Sequence, residues 1–275
     1  MSIILPESLQ VCDNTIEQVL MMLVEAGKIA LKYHNSSNLR VEYKEDQSPV
    51  TNADVEISDF IIDKLKIISS KLPVISEEET LQHLVGHSFW LLDPIDGTRK
   101  YINGQSNYTI NLALVYKYLP VLGFIYHPSI NEIYYNNLNN TTFCYNVLTN
   151  KNILCQPIQH STKNLTEEIK VLISNEQYNF YKIENEKLFT KVYADNIRNN
   201  VSMLLNGQID VYYLYRCSME WDTAAVHAML RTLGGDIIDA TGNPLVYGKP
   251  MFCNSNIIFC NQHALLKKRI ILKNN

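Results

Sequence analysis

Apolar residues near the N-terminus recur at helical spacing: Ile16, Val19, Leu20, Leu23, Val24, Ala30 and Leu31 form one stripe, and Thr15 with Gln18 can cap its start reciprocally. A second stripe of Val55, Phe60, Ile61, Leu65 and Ile68 predicts a helix from about Thr51 to Ile68. It follows the turn-forming Gln47-Ser48-Pro49 and carries Asp54 in its first turn. Short apolar runs then take over at Leu72 to Ser76, Phe89 to Leu92, Thr109 to Tyr116, Val121 to Tyr126 and Glu132 to Tyr135, each bounded by Pro, Gly, Asn or charge. The last three have connections too short for crossover helices, so an antiparallel meander is expected and the first half reads as α+β. The Asn- and Thr-rich stretch from Asn136 to Asn152 marks hairpin tips and the approach to a boundary between an α+β domain, 1–153, and a second domain, 154–275. Beyond it, strands at Val171 to Ser174, Val211 to Leu214, Asp236 to Asp239 and Ile257 to Cys260 alternate with helices at Asn196 to Leu205, Asp222 to Leu233 and Gln262 to Lys268. That alternation predicts a smaller α/β half.

Composition narrows the chemistry. The chain has 275 residues and 46% hydrophobic content, enough for a sizeable core. Its formal net charge of -4 gives no basic footprint for a nucleic-acid polymer. Met1 to Gln10 lacks a basic start followed by an apolar core, and the apolar stretch Val19 to Val24 is short and flanked by Glu17 and Glu25, so neither export nor membrane insertion is expected. Six scattered cysteines without a Cys-x-x-Cys pair read as reduced, structural thiols. Seven histidines show no zinc-hydrolase spacing, so any metal must be held by carboxylates.

The segment Asp93-Pro94-Ile95-Asp96-Gly97-Thr98 supplies such carboxylates. Trp90-Leu91-Leu92 delivers Asp93 at the end of an apolar strand, and Pro94 forces an extended or turning backbone, so that Asp96 can return toward the same point. Gly97 permits close backbone approach to a ligand, and a helix starting at Thr98 would offer N–H groups to a phosphate. Alone, this segment is equally well an Asp turn with a helix cap. The other acidic positions also have structural explanations. Glu77-Glu78-Glu79 can be a solvated run, with Glu79 the one most expected to face water. Asp222 can cap the helix after it, and Asp54 can complete a capping box with Thr51.

Order and spacing weigh more than any single motif. Ser48-Pro49-Val50-Thr51-Asn52-Ala53-Asp54, Ser76-Glu77-Glu78, Trp90 to Thr98 and Trp221-Asp222-Thr223-Ala224-Ala225 together resemble the signatures of the inositol monophosphatase superfamily. Similarity in Tyr108 to Tyr116, Pro120 to Pro128 and Gly242-Asn243-Pro244-Leu245 points toward its bacterial 3′(2′),5′-bisphosphate nucleotidase branch. The resemblance implies a layered αβαβα sandwich. It also implies two to three Mg²⁺ ions held by Glu77, Asp93, Asp96, Asp222 and the Ile95 carbonyl. Hard Mg²⁺ favours such an all-oxygen set. In the mechanism it implies, Glu77 and Thr98 activate a water, Asp54 orients Thr98, and Glu77, Asp96, Gly97, Thr98 and Asp222 contact the substrate.

The expected reaction removes the 3′-phosphate of adenosine 3′,5′-bisphosphate to give AMP. Inositol monophosphate or another small sugar phosphate is the alternative substrate, and a catalytically inactive metal or nucleotide sensor is a third reading. Lithium sensitivity, a place in sulfur metabolism and a cytoplasmic location, with peripheral attachment at the inner membrane left open, are implied in the same way. Oligomeric state is left open. The chain departs from the nucleotidase pattern where Ser-x-Ser and Gly-Ser-Ser-x-x-Lys elements are expected. It has Ile173-Ser174-Asn175-Glu176 and Asn196-Ile197-Arg198-Asn199-Asn200 instead, with Arg198 a conjectural replacement for the lost cation. Arg99-Lys100-Tyr101 stands where that branch often has Lys-Glu-Phe, so Lys100 reverses a charge near the mouth of the site; it faces either a further substrate phosphate or solvent.

Overall fold

The computed structural model describes residues 11–79, 86–155, 169–172, 189–192, 203–214, 217–239 and 241–266, with positions 5, 6 and 9. The first stripe folds as α1 (Asp13–Tyr33). Its reciprocal cap lies one turn earlier than expected. Cys12, in extended backbone, is the capping residue, and Thr15 accepts the Cys12 N–H at 3.1 Å, which leaves Gln18 exposed in the second turn. After β1 (Val41–Tyr43) and β2 (Pro49–Thr51), which pair antiparallel, the second stripe folds as α2 (Asn52–Ile68) behind a Thr51/Asp54 capping box.

A seven-stranded sheet follows: β3 (Val74–Ser76), β4 (Ser88–Asp96), β5 (Thr109–Tyr116), β6 (Leu119–His127), β7 (Glu132–Asn136), β8 (Thr142–Asn146) and β9 (Lys151–Cys155), in that spatial order. The short helix α3 (Thr98–Ile102) lies between β4 and β5. Only β3 runs parallel to its neighbour; the remainder is the expected meander. The meander extends through the Asn-rich stretch, whose hairpin tips are 137–141 and 147–150.

The second sheet comprises β10 (Ile169–Leu172), β11 (Phe189–Val192), β12 (Val211–Leu214), β14 (Asp236–Asp239) and β16 (Ile257–Cys260), in the order β11-β10-β12-β16-β14. It is mixed rather than wholly parallel, because β16 runs antiparallel to both β12 and β14. The two-residue strands β13 (Ser218–Met219) and β15 (Cys253–Asn254) pair separately. Helices α4 (Glu220–Thr232) and α5 (Gln262–Leu266) match two of the expected helices. Of the third, Asn196 to Leu205, only 203–205 lies within the described residues and is helical; Asn196 to Asn200 and Ile173 to Glu176 fall outside them.

Alternation along the strands builds the layers. In β4 and β5, Trp90, Leu92, Ile110, Leu112 and Leu114 face α1 and α2, whereas Phe89, Leu91, Ala113 and Val115 face α4. In β12 and β16, Tyr212, Leu214, Ile257 and Phe259 close on α4 from the other side, while Val211, Tyr213, Ile258 and Cys260 turn outward to Ala264 of α5. The result is the αβαβα sandwich, with α4 as its central layer. Gly123 on β6 permits this close packing, since a Cβ there would stand 2.1 Å from the Ala225 carbonyl oxygen.

One cysteine expectation is corrected. Pairing of β13 with β15 brings Cys217 and Cys253 to a Cα separation of 6.5 Å, and they form a disulfide, while Cys12, Cys144, Cys155 and Cys260 are free. Sequence spacing cannot report a contact made across 36 residues. Among the described residues, no helix is long and apolar enough to cross a membrane.

Candidate metal and phosphate site

Strand β4 does not stop at Leu92 but continues to Asp96, and the way it continues brings the two aspartates together. In a regular strand, residues three apart point to opposite faces. Here Asp93 pairs with Asn111 and Asp96 with Thr109, so three steps on β4 oppose two on β5. This β-bulge carries Pro94, which has no N–H for a ladder; of the extended and turning backbones that Pro94 allows, the strand takes the extended one. Asp93 is 1% exposed, and Asp96 lies at the surface, where Asn111 donates to its Oδ2 at 3.2 Å.

Beyond the strand, Gly97 adopts φ 93°, a left-handed conformation that favours glycine, and starts the five-residue helix α3. So short a helix has little macrodipole; its first N–H groups simply lack intrahelical acceptors. Thr98 Oγ1 lies 3.0 Å from the Ile95 carbonyl and 3.5 Å from Asp54 Oδ1. Asp54 therefore serves two purposes. Its Oδ2 accepts the Thr51 N–H at 2.9 Å and the Thr51 hydroxyl, completing the helix cap, while Oδ1 faces Thr98. The cap that explains Asp54 structurally leaves its other oxygen directed at Thr98.

Glu77 follows β3, with its N–H tied to the Leu92 carbonyl at 3.1 Å. Lys44 reaches it from the β1–β2 connection, with Nζ 3.4 Å from Glu77 Oε1 and 2.9 Å from Glu78 Oε2; Glu79 is exposed. Asp222 comes from the second half, on the first turn of α4, where its Oδ2 accepts the Met219 N–H at 3.0 Å. Asp222 and Asp96 line one small cavity of about 80 Å³, together with Gly97, Lys100, Asn111 and His127.

The electrostatics tie these carboxylates into one group. Burial raises Asp93 well above the usual carboxylate range, and the charges of Glu77, Asp96, Asp222 and Asp54 push it further the same way. Burial likewise lifts Asp54 to about 6, against the hydrogen bonds from Thr51 and with help from the Glu77 charge. Glu77 is raised by burial and by the Glu78 and Asp96 charges, opposed by Lys44. For Lys44 itself, burial is outweighed by the Glu77 and Glu78 charges, and its ammonium is held above its ordinary value.

Such a cluster is suited to a hard cation. Asp93 Oδ1 is buried without a hydrogen-bond partner, the one carboxylate oxygen in that position among the described residues. The acidic side chains around it and the Ile95 carbonyl offer oxygen, the donor Mg²⁺ favours. Glu77, Asp96 and Asp222 are drawn to Lys44, Asn111 and the Met219 N–H, and among the described residues no three His, Cys, Asp or Glu side chains close on a single point. Lys44, Asn111 and the Met219 N–H are the contributors that sequence reading missed. Nothing local links Lys44 to Glu77, which is 33 positions away.

Comparison with known proteins adds to this geometry. The model of the "Inositol monophosphatase family" matches residues 13–273. A 3′(2′),5′-bisphosphate nucleotidase CysQ of Aggregatibacter actinomycetemcomitans is 28% identical over 259 residues, covering 89% of this chain and 92% of that protein. The crystal structure of CysQ from Bacteroides thetaiotaomicron superposes with a TM-score of 0.70 at 23% identity, over 90% of this chain and 97% of that one. A protein described as an IMPase/NADP phosphatase, complexed with Mg²⁺ and phosphate, does so with a TM-score of 0.72 at 19% identity, over 98% and 97%.

Proposed function

The chain belongs to the inositol monophosphatase family and is a phosphatase of that family; from that premise we propose that it is a Mg²⁺-dependent 3′(2′),5′-bisphosphate nucleotidase. It converts adenosine 3′,5′-bisphosphate to AMP and inorganic phosphate. The observation that carries the metal chemistry is Asp93, fully buried among like charges with one oxygen unpartnered. The nucleotidase assignment draws on relatives named for that activity at 28% and 29% identity. Mg²⁺ draws on the all-oxygen donor set and on the Mg²⁺ and phosphate bound by one structural neighbour.

Glu77, Asp93, Asp96, Asp222 and the Ile95 carbonyl would hold two to three ions. When bound, Mg²⁺ supplies positive charge to the phosphate and acidifies water. This chain's own groups do the rest. Thr98 Oγ1 directs its proton toward Asp54 Oδ1 or the Ile95 carbonyl, which leaves its lone pairs free to accept from the attacking water. Glu77 accepts from the same water, and no phosphoenzyme is formed. The Gly97 and Thr98 N–H groups orient phosphoryl oxygens, and Asp96 and Asp222 bound the cavity that receives the ester. Lithium inhibition, a cytoplasmic location and the division into 1–153 and 154–275 belong to the same proposal.

A phosphate-release panel with Mg²⁺ tests it, using adenosine 3′,5′-bisphosphate, inositol 1-phosphate and fructose 1,6-bisphosphate, each repeated with Li⁺. The expected result is fastest release from the nucleotide, suppressed by Li⁺. Preferential release from inositol 1-phosphate would overturn the substrate assignment. Release from none would overturn the enzyme reading in favour of a non-catalytic sensor.

A further inference from the structure

Two cations stand side by side after the bulge, and the structure treats them differently. Arg99 is tied down, its Nη2 donating to the Gln47 carbonyl at 3.3 Å. Lys100 lines the small cavity that Asp96 and Asp222 also line, and its stem lies beside Gly97, where a Cβ would stand 3.8 Å from Lys100 Cδ. Tyr101 fixes this arrangement. It is fully buried, donates its hydroxyl to the Ala30 carbonyl at 2.5 Å, and packs edge-on against Tyr108 at 4.7 Å. Consecutive helical residues diverge by about 100°, so anchoring Tyr101 sets where Lys100, one position before it, and Arg99, two before it, point. The Lys100 carbonyl is held too, accepting the Gln105 N–H at 2.9 Å.

Lys100 has three available uses. A solvated surface charge could lay its stem on Gly97 in the same way, but it would have no reason to line the cavity that Asp96 and Asp222 share. A counter-charge would pair with Asp96 or Asp222, yet among the described residues no carboxylate lies within ion-pair distance of Lys100, although both line the same cavity. The third use is to meet an anion brought by the substrate. It is also the only lysine or arginine lining that cavity among the described residues.

We propose that Lys100 is a specificity-determining residue that binds a second phosphate of the substrate, one that is not hydrolysed. The inference rests on the nucleotidase reading and extends it: preference for bisphosphates over monophosphates is carried in the first half of the chain, next to the metal-site aspartates. An ammonium at a half-exposed position contributes modest energy, so about a tenfold preference is expected from it.

The test compares kcat and KM for adenosine 3′,5′-bisphosphate and adenosine 3′-monophosphate, which share the reacting ester and differ in the second phosphate. Lys100→Gln should raise KM for the bisphosphate about tenfold with kcat little changed, and leave the monophosphate within about twofold. Lys100→Arg should restore most of the loss, and the wild-type preference should shrink as ionic strength rises. Equal losses on both compounds would place Lys100 on the reacting phosphate and overturn the proposal. Wild type that favours the bisphosphate while Lys100→Gln keeps the same preference overturns this inference alone. Wild type that releases phosphate from neither overturns the nucleotidase reading and this inference together.

Discussion

Two clusters of buried ionisable groups meet on α4, and they are built on opposite principles. Around Glu220, His227 and Asp236, nearly every charge is answered. The fully buried Glu220 accepts the Gly248 N–H at 2.6 Å and the Lys249 N–H at 3.0 Å, and pairs with Lys249 Nζ at 2.7 Å. His227 bonds Asp236 at 2.6 Å and faces the Tyr247 hydroxyl at 3.0 Å. Burial holds His227 below its ordinary value, so the neutral ring donates Nε2–H to Asp236. Around Asp93, by contrast, carboxylates face carboxylates, Lys44 is the one cation paired with any of them among the described residues, and one buried carboxylate oxygen is orphaned. Neutral atoms such as Asn254 Oδ1 are also buried without a partner, but an unsatisfied acceptor costs about 1–3 kcal/mol and more when charged, so the second arrangement is the one a scaffold has least reason to keep. A site that awaits cations and phosphate has such a reason.

The sharpest way to break this comparison is to neutralise Asp93 while keeping its shape. Asp93→Asn should lower phosphate release on the order of a thousandfold. The thermal midpoint of metal-free protein should stay level or rise, because like-charge repulsion is removed. An Asp93→Asn protein with near-normal turnover, or one that melts well below wild type, would move Asp93 into the scaffold class.

The reverse experiment is Glu220→Ala. It leaves the half-buried Gly248 and Lys249 N–H groups without their acceptor and Lys249 Nζ with only the Val246 carbonyl, and should cost about 1–3 kcal/mol in denaturant unfolding. The folded fraction should retain activity within about tenfold. Unchanged stability with lost turnover would make Glu220 part of the site instead.

The two clusters also predict opposite responses to pH in metal-free protein. Asp54 is raised from 3.8 to about 6, so the folded state binds its proton more tightly than the unfolded chain does. Its contribution is therefore fully present below about pH 4 and is lost as pH rises through about 6, on the order of 3 kcal/mol. His227 is lowered, so its contribution is present above about pH 6.5 and is lost as pH falls through its folded value. Unfolding free energies measured from pH 4 to 8 for wild type and Asp54→Asn should differ by an amount that changes across pH 4–6. A pH-independent difference would show that Asp54 titrates as an ordinary carboxylate.

How much of this was legible before folding depends on the range of each interaction. The stripes of α1 and α2, the meander and the alternation that sorts β4, β5, β12 and β16 into layers are local periodicities, and the sequence carries them openly. The Thr51/Asp54 cap is equally local. The site's assembly is not. Asp93 and Asp96 converge through a bulge that is defined only by pairing with β5. Lys44 reaches Glu77 and Glu78 because the β1–β2 hairpin presents it, and Cys217 meets Cys253 because β13 pairs with β15. Even the cap of α1 was displaced, since Thr15 satisfies an N–H three residues before it as readily as it could cap a helix after it.

The smallest expected effect tests the finest distinction, between adjacent residues of one acidic run. Glu78 and Glu79 are chemically identical, yet Glu78 is drawn inward to Lys44 at 2.9 Å while Glu79 lies exposed just beyond the site. The division follows from backbone direction. The chain leaves β3 with the Glu79 N–H closing a turn onto the Ser76 carbonyl at 3.2 Å, and the turn carries Glu79 away from the sheet. Glu79→Gln should leave phosphate release and melting behaviour unchanged, within about twofold in rate. Glu78→Gln should weaken the hold on Lys44 and leave its ammonium to Glu77 alone, so a rise in the metal concentration needed for half-maximal activity is expected. Indistinguishable metal titrations for the two variants would mean that Lys44 does not govern Glu77, and that the acidic run acts only through its total charge.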